Sequence, residues 1–270
     1  MHRYFFHVAY NGTHYRGWQR QPNVRSVQEV LEDTLAKTLS LPSVTIIGCG
    51  RTDAGVHASQ FFFHTDLRYP IAEELKFMLN KTLPDDIAVF DILLVRRKAH
   101  ARFNATQRAY DYFIHTYKNP FLADRSFLYI DKPLDLEKMQ QAVQLLPQYD
   151  DYRAFCKKPD SYNTTICKVT RAQLSVANNQ QEIRFSIEAN RFLRGQIRII
   201  VQKLIDIGTG KFPLEAFELA LKEQKRPELI KPAPPQGLFL SKVFYPFLEA
   251  TTPSNFFNEQ EWQDLDSIPQ

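Results

Sequence analysis

Arg51, Asp53 and His57 stand within seven residues of one another in "GCGRTDAGVHASQ" (48–60), among the glycines Gly48, Gly50 and Gly55. A carboxylate beside a guanidinium is held ionised, as a nucleophile or a general base must be. A turn alone would explain part of the pattern, with Gly50 and Gly55 supplying positive φ and Asp53 an Asx-type hydrogen bond, but a turn needs neither Arg51 nor His57. Two phosphate-binding readings fail. A Walker loop requires Gly-Lys-Ser/Thr where the chain has Gly55-Val56-His57, and a dinucleotide fingerprint requires a glycine at Asp53 and a helix after it. A second set lies in "RFLRGQIR" (191–198), where Arg191, Arg194 and Arg198 fall along an expected helix with Arg194 and Arg198 four apart on one face. Arg191 reads equally well as a solvated charge, whereas Arg198, bracketed by Ile197 and Ile199, suits a partly buried partner. Tyr110 in "AYDY" reads by itself as a strand tyrosine of the core.

The elements that must position these groups mix strand and helix without repeats. "RYFFHVAY" (3–10) reads as a strand and "NGTHYRGWQRQPNVR" as a polar aromatic loop. Ser26 with Glu29 forms a capping box that opens a helix carrying Val27, Val30, Leu31, Leu35 and Leu39. "VTII" (44–47) and "SQFFFHT" (59–65) are short strands on either side of the glycine stretch, which makes it a strand-loop-strand bend. Helices are expected over 71–82, around Leu136–Leu146, and from Arg191 to about Ile207, ended by Gly208. "LPDDIAVFDILLV" and "EIRFSIEA" read as strands. The class is α+β, with an N-terminal domain over 1–105, a C-terminal domain over 106–250 and an acidic, aromatic tail over 251–270.

At 270 residues, 44% hydrophobic and 13% aromatic, the chain can bury a substantial core. No stretch approaches a membrane span and the N-terminus lacks the apolar block of a signal peptide, so a cytoplasmic protein is expected. Cys49, Cys156 and Cys167 give neither a CxxC pair nor an even framework; reduced thiols and no metal site are expected. The formal charge of +4 understates the body of the protein, because residues 1–250 hold 34 Lys and Arg against 26 acidic residues, a net +8. That balance is compatible with a polyanionic partner.

"GRTDAGVHA" (50–58) resembles the signature of the tRNA pseudouridine synthase A (TruA) family. "GWQRQ" (17–21) with "SVQE" (26–29), "LPDDI" (83–87), "HARFNATQRAYDY" (100–112) and "APPQGLFLSKVFYP" (233–246) resemble that family's other blocks, in its order. The resemblance spans residues 3–246. It implies two α+β domains whose mixed, mainly antiparallel sheets join into one extended sheet with flanking helices, and a homodimer that acts on tRNA without a cofactor. The implied reaction converts uridine to pseudouridine at positions 38–40 of the anticodon stem-loop. By resemblance, Asp53 corresponds to the catalytic aspartate, Arg198 to its arginine partner and Tyr110 to the tyrosine that stacks on the target base. Leu238 lines the other side of the base, and Arg51 meets the RNA backbone or fills the space of the extruded base. Arg16, Arg20, Arg25, Arg102 and Arg108 are then expected to hold phosphates.

The chain departs from the family pattern at Asn11, at Ala109 and across Arg194–Gln202, where two histidines, a methionine, an asparagine and a glycine of the family helix are replaced. These departures fit a divergent paralogue, and two competing readings follow: an RNA-binding or tRNA-chaperone descendant without turnover, and a synthase acting on another RNA. A glycosidase with paired carboxylates lacks a second acid near Asp53 in sequence.

Overall fold

A computed structural model describes residues 1–225, 231–248, 250 and 262–267. The chain divides into two compact units, one of Met1–Arg108 with Phe239–Phe256 and one of Ala109–Leu238 with Phe257–Gln270. A single cut near residue 105 therefore does not describe it, because strand pairing returns residues after 238 to the first unit.

In the first unit, β1 (His2–Tyr10) pairs antiparallel with both β3 (His57–Leu67) and β4 (Ile87–Val95). β2 (Ile47–Gly48) lies antiparallel on β3, and β9 (Leu238–Phe244) adds in parallel through Phe239 and Leu240 opposite His57 and Ala58. The runs "FF" in β1 and "FFF" in β3 alternate across the sheet, so Phe5, Phe6, Phe61, Phe62 and Phe63 are all buried. α1 (Val27–Thr38) starts where the sequence says: the Ser26 hydroxyl accepts from the Glu29 amide. α2 (Leu75–Thr82) is shorter than the expected 71–82, because residues 71–74 form a turn in which the Leu75 amide bonds the Ala72 carbonyl. Asn80 then ties α2 to β4 by exchanging two 2.8 Å bonds with the Val89 backbone. "VTII" is strand only at Ile47; the Ile46 amide bonds the Glu32 carboxylate and the Thr45 carbonyl takes the Thr65 hydroxyl, which draws both groups away from a ladder.

The second unit carries β5 (Gln107–His115), β6 (Phe127–Leu128), β7 (Val169–Ala177) and β8 (Glu182–Ala189). β7 and β8 form an antiparallel hairpin. β7 was not expected from the sequence. α3 (Leu136–Leu145) packs on β7 and against α4 (Gln196–Gly208) and α5 (Leu214–Glu223), with Met139, Val143, Ile200, Val201, Leu204 and Phe217 all buried. α4 begins at Gln196 rather than Arg191, since Gly195 takes a left-handed φ of 75° and sets the start of the helix. Arg191 and Arg194 therefore precede the helix, and Arg194 does not share a helical face with Arg198. Of the tail, 251–261 lies outside the described residues; β10 (Gln263–Asp264) pairs with β7, and the Trp262 ring packs against Phe113 and under Arg184. No helix among the described residues is long and apolar enough to cross a membrane.

Candidate active site

Asp53 is half-buried on the loop between β2 and β3, and that loop is fixed from every side by the first unit. The Trp18 amide donates to the Thr52 carbonyl and the Gly55 amide to the Tyr15 carbonyl, both at 3.2 Å. The Tyr10 and Thr52 hydroxyls meet at 2.9 Å, and the Gly12 amide donates to His57 Nδ1 at 3.0 Å. Inside the loop the Val56 amide reaches the Asp53 carbonyl at 3.2 Å, closing a turn that Gly55 permits with φ of 75°; Gly50 does not adopt positive φ. Each bond adds about 1 kcal/mol net, so a handful suffices to hold an irregular loop in one conformation.

Shape excludes alternatives even more strictly. A Cβ on Gly17, whose φ is 93°, would fall 2.5 Å from the Thr52 carbonyl oxygen, and one on Gly12 would fall 2.0 Å from that of Val56. One on Gly48 would fall 2.8 Å from the Trp18 ring, which itself stacks on Phe61 at 4.0 Å between centroids. The polar aromatic loop 11–25 is thus the seat of the aspartate loop. Gly12 was not singled out from the sequence, and Gly17 and Trp18 entered only within the block "GWQRQ", with no role given to them. His57, conspicuous in the motif, is buried, stacked on Phe239 at 4.5 Å and used as an acceptor for this seat.

The arginines expected to hold phosphates separate into two groups. Arg108 donates to the carbonyls of Cys49 and Arg102 at 2.9 Å and of Ala105 at 3.3 Å, so its guanidinium is spent on backbone at the base of the aspartate loop. Arg20 is matched to α1, reaching Glu32 at 3.1 Å and Asp33 at 3.2 Å. Arg108 is half-buried by these bonds, whereas Arg20 stays exposed with its charge matched by the α1 carboxylates. Arg16, Arg51 and Arg102 are exposed, and Arg25 is exposed over the Tyr15 ring at 5.2 Å. Tyr15 donates to Asp86 at 2.5 Å, and burial first, then that carboxylate, raises its pKa.

The second unit carries the other three expected residues, two of them at one segment. Arg198, half-buried on α4, donates from Nε to the Ala233 carbonyl at 2.6 Å, while the Ala233 amide returns to the Arg198 carbonyl at 2.8 Å. On β5 the Tyr112 hydroxyl donates to the Pro234 carbonyl at 2.7 Å, and a Cβ on Gly237 would lie 2.7 Å from the Tyr112 ring. The segment 233–237 is thereby pinned between α4 and β5, which sets Leu238, 7% exposed, at its end. Tyr110, two residues before Tyr112 and half-buried, makes an edge-to-face contact with Phe192 at 5.1 Å. Burial drives the Tyr112 pKa up, partly opposed by the charge of Arg198. Tyr112 is thus a neutral structural donor and Tyr110 the more accessible phenol. Among the described residues no group of His, Cys, Asp and Glu is placed to hold a metal ion.

The family described as tRNA pseudouridine synthase matches residues 7–104 and 142–246, and the chain belongs to it. A protein of Bacteroides fragilis called tRNA pseudouridine synthase A is 42% identical over 247 residues, covering 90% of this chain and 96% of its own length. Proteins of the same name from Porphyromonas gingivalis and Streptococcus pneumoniae are 40% and 36% identical, each over 91% of this chain.

Proposed function

We propose that this protein isomerises uridine to pseudouridine in the anticodon stem-loop of tRNA, at positions 38–40, with Asp53 as the reacting carboxylate. The reaction breaks the N1–C1′ bond, turns the base, and forms C5–C1′. The C5 hydrogen leaves to solvent and N1 gains one, so neither an oxidant nor an energy source is needed. Asp53 attacks C6, attacks C1′ or removes the C2′ proton, and each route requires the ionised form. Arg198 supplies the positive charge that favours that form. Tyr110 stacks on the flipped uracil and Leu238 lines its other face, which suits a base with two apolar faces and a polar edge. Arg51, Arg16 and Arg102 meet the RNA backbone, and the enzyme works as a homodimer in the cytoplasm.

The observation that carries this reading is the seat of the aspartate loop: three glycines and a stacked tryptophan fix a half-buried carboxylate, which RNA binding alone has no use for. Tritium release from tRNA labelled at uridine C5 tests it. Wild type is expected to release tritium and Asp53→Asn to bind the tRNA without release. An active Asp53→Asn enzyme, with deamidation excluded, would overturn the assignment, and wild-type binding without release would indicate a descendant that has lost turnover or changed its RNA.

A further inference from the structure

The segment from Arg96 to Asn104, "RRKAHARFN", carries four exposed cations, Arg96, Arg97, Lys98 and Arg102, and no acidic residue. None of the four forms an ion pair with a described carboxylate. At its end Phe103 is 74% exposed, although an isolated phenylalanine gains by burial. A flexible loop would let that ring fold back against the protein. This loop is not free to do so, because its backbone is bonded at nearly every step. The His100 amide donates to Asn104 Oδ1 at 2.7 Å and the Asn104 amide to the His100 carbonyl at 3.0 Å. His100 Nδ1 accepts from the amides of Arg102 and Phe103, at 3.1 and 3.3 Å. The buried His64 Nδ1 accepts from the Ala101 amide at 3.1 Å, Tyr245 donates to the Ala101 carbonyl at 2.6 Å, and Arg108 donates to that of Arg102 at 2.9 Å. The Phe103 ring lies 4.2 Å from the His100 ring between centroids and 5.9 Å from the Arg102 guanidinium, and most of its surface remains open to solvent.

A rigid aromatic shelf inside a field of unpaired cations is the arrangement that holds unpaired nucleotides: the ring takes a base and the cations take the adjacent phosphates. We propose that this shelf is a second RNA contact, separate from the target-uridine pocket, on which an unpaired base of the bound tRNA stacks against Phe103. Rigidity matters because the ordering cost is met before the RNA arrives. The proposal rests on tRNA being the substrate, so wild-type binding and tritium release are measured first and judge that premise alone.

Dissociation constants for in vitro transcribed tRNA then separate the contributions. Phe103→Ala is expected to weaken binding about five- to a hundredfold with an unchanged salt slope, as loss of one base stack does. Arg102→Ala is expected to lower the slope of log K against log salt by about one. Phe103→Trp is expected to bind like wild type and to lose fluorescence on adding tRNA, as a stacked indole does. The ring is exposed, so none of these changes should move the melting temperature. Equal affinity of Phe103→Ala and wild type, or unquenched emission of Phe103→Trp in a saturated complex, overturns the proposal and leaves the shelf to a protein partner.

Discussion

The aspartate loop of the first unit and the arginine-tyrosine set of the second are rigid for different reasons. Asp53 is placed by exclusion: backbone passes so close to Thr52 and Val56 that only glycine fits at positions 17 and 12. Arg198 is placed by regular structure, on a helix whose apolar residues are nearly all buried, and by paired bonds to Ala233. The first arrangement tolerates almost no change of shape and little depends on charge. The second tolerates small changes of shape and depends on the fork of one guanidinium, which holds the Ala233 carbonyl with Nε.

The sharpest test of that difference is Arg198→Lys, which keeps the charge and removes the fork. Turnover is expected to fall at least a hundredfold while the melting temperature moves by no more than a few degrees, because the helix stays packed. Single-turnover rates on bound tRNA measure it. Retention of more than a tenth of the rate would mean that charge alone suffices at this position.

A smaller effect is expected from Gly17→Ala, which probes the other side of the comparison without touching a reacting group. The added Cβ would lie 2.5 Å from the Thr52 oxygen, so the loop bearing Asp53 must shift. A displacement approaching 1 Å costs about tenfold to a hundredfold in rate. Gly210→Ala is the control: its φ of 71° is equally unfavourable for alanine, yet nothing lies within 4 Å of the new Cβ. Both variants should lose about 1 to 2 kcal/mol of stability from the dihedral alone. Only Gly17→Ala should lose turnover, and equal rates in the two would show that the close approach does not position Asp53.

This contrast also separates what was legible in the sequence from what was not. Periodicity found α1, α3 and most of α4, and the bend between β2 and β3 was plain from Gly48, Gly50 and Gly55. The closeness of Gly17 to Thr52 was invisible, since it joins segments 35 residues apart and nothing local distinguishes a glycine at a close approach from one in a turn. The start of α4 was misplaced because "RFLRGQIR" keeps helical spacing through Gly195, whose left-handed conformation cancels it. The sequence counted positive charges but could not say which were already spent. The acids Glu29, Glu32 and Asp33 in α1 were the available signal for Arg20, and nothing signalled the three carbonyls that hold Arg108. The fold class and the family were readable because the alternating and helical patterns and the family's blocks lie in contiguous stretches.

The smallest effect concerns stability, and it asks whether the aromatic sheet beneath the aspartate loop needs its histidines. His7 stacks on Phe62 at 4.7 Å and meets Phe90 edge-on at 5.2 Å, with its Nε2 buried and unbonded. Burial holds its pKa down at about 4 despite Asp91, and the same force holds His64 at about 4, assisted by Arg3 and His100 and opposed by Asp66 and the Ile47 carbonyl. An unfolded chain protonates both near 6.5. Above that value neither state carries the protons and stability is at its plateau. Below it the unfolded chain takes up two protons that the native protein refuses, so stability falls by about 1 kcal/mol per pH unit for each histidine until about pH 4. His64 is also the acceptor for the Ala101 amide, so replacing it would disturb the loop as well as the titration. His7→Phe removes one titrating ring and one unbonded polar atom from the site. Urea unfolding between pH 7 and 4 should show a shallower pH slope than wild type, the remainder coming from His64 and from His100 and His115, which burial also holds below the ordinary histidine value. At pH 7 the variant should be neutral to about 1 kcal/mol more stable. A slope equal to that of wild type would mean that His7 takes up its proton in the native protein.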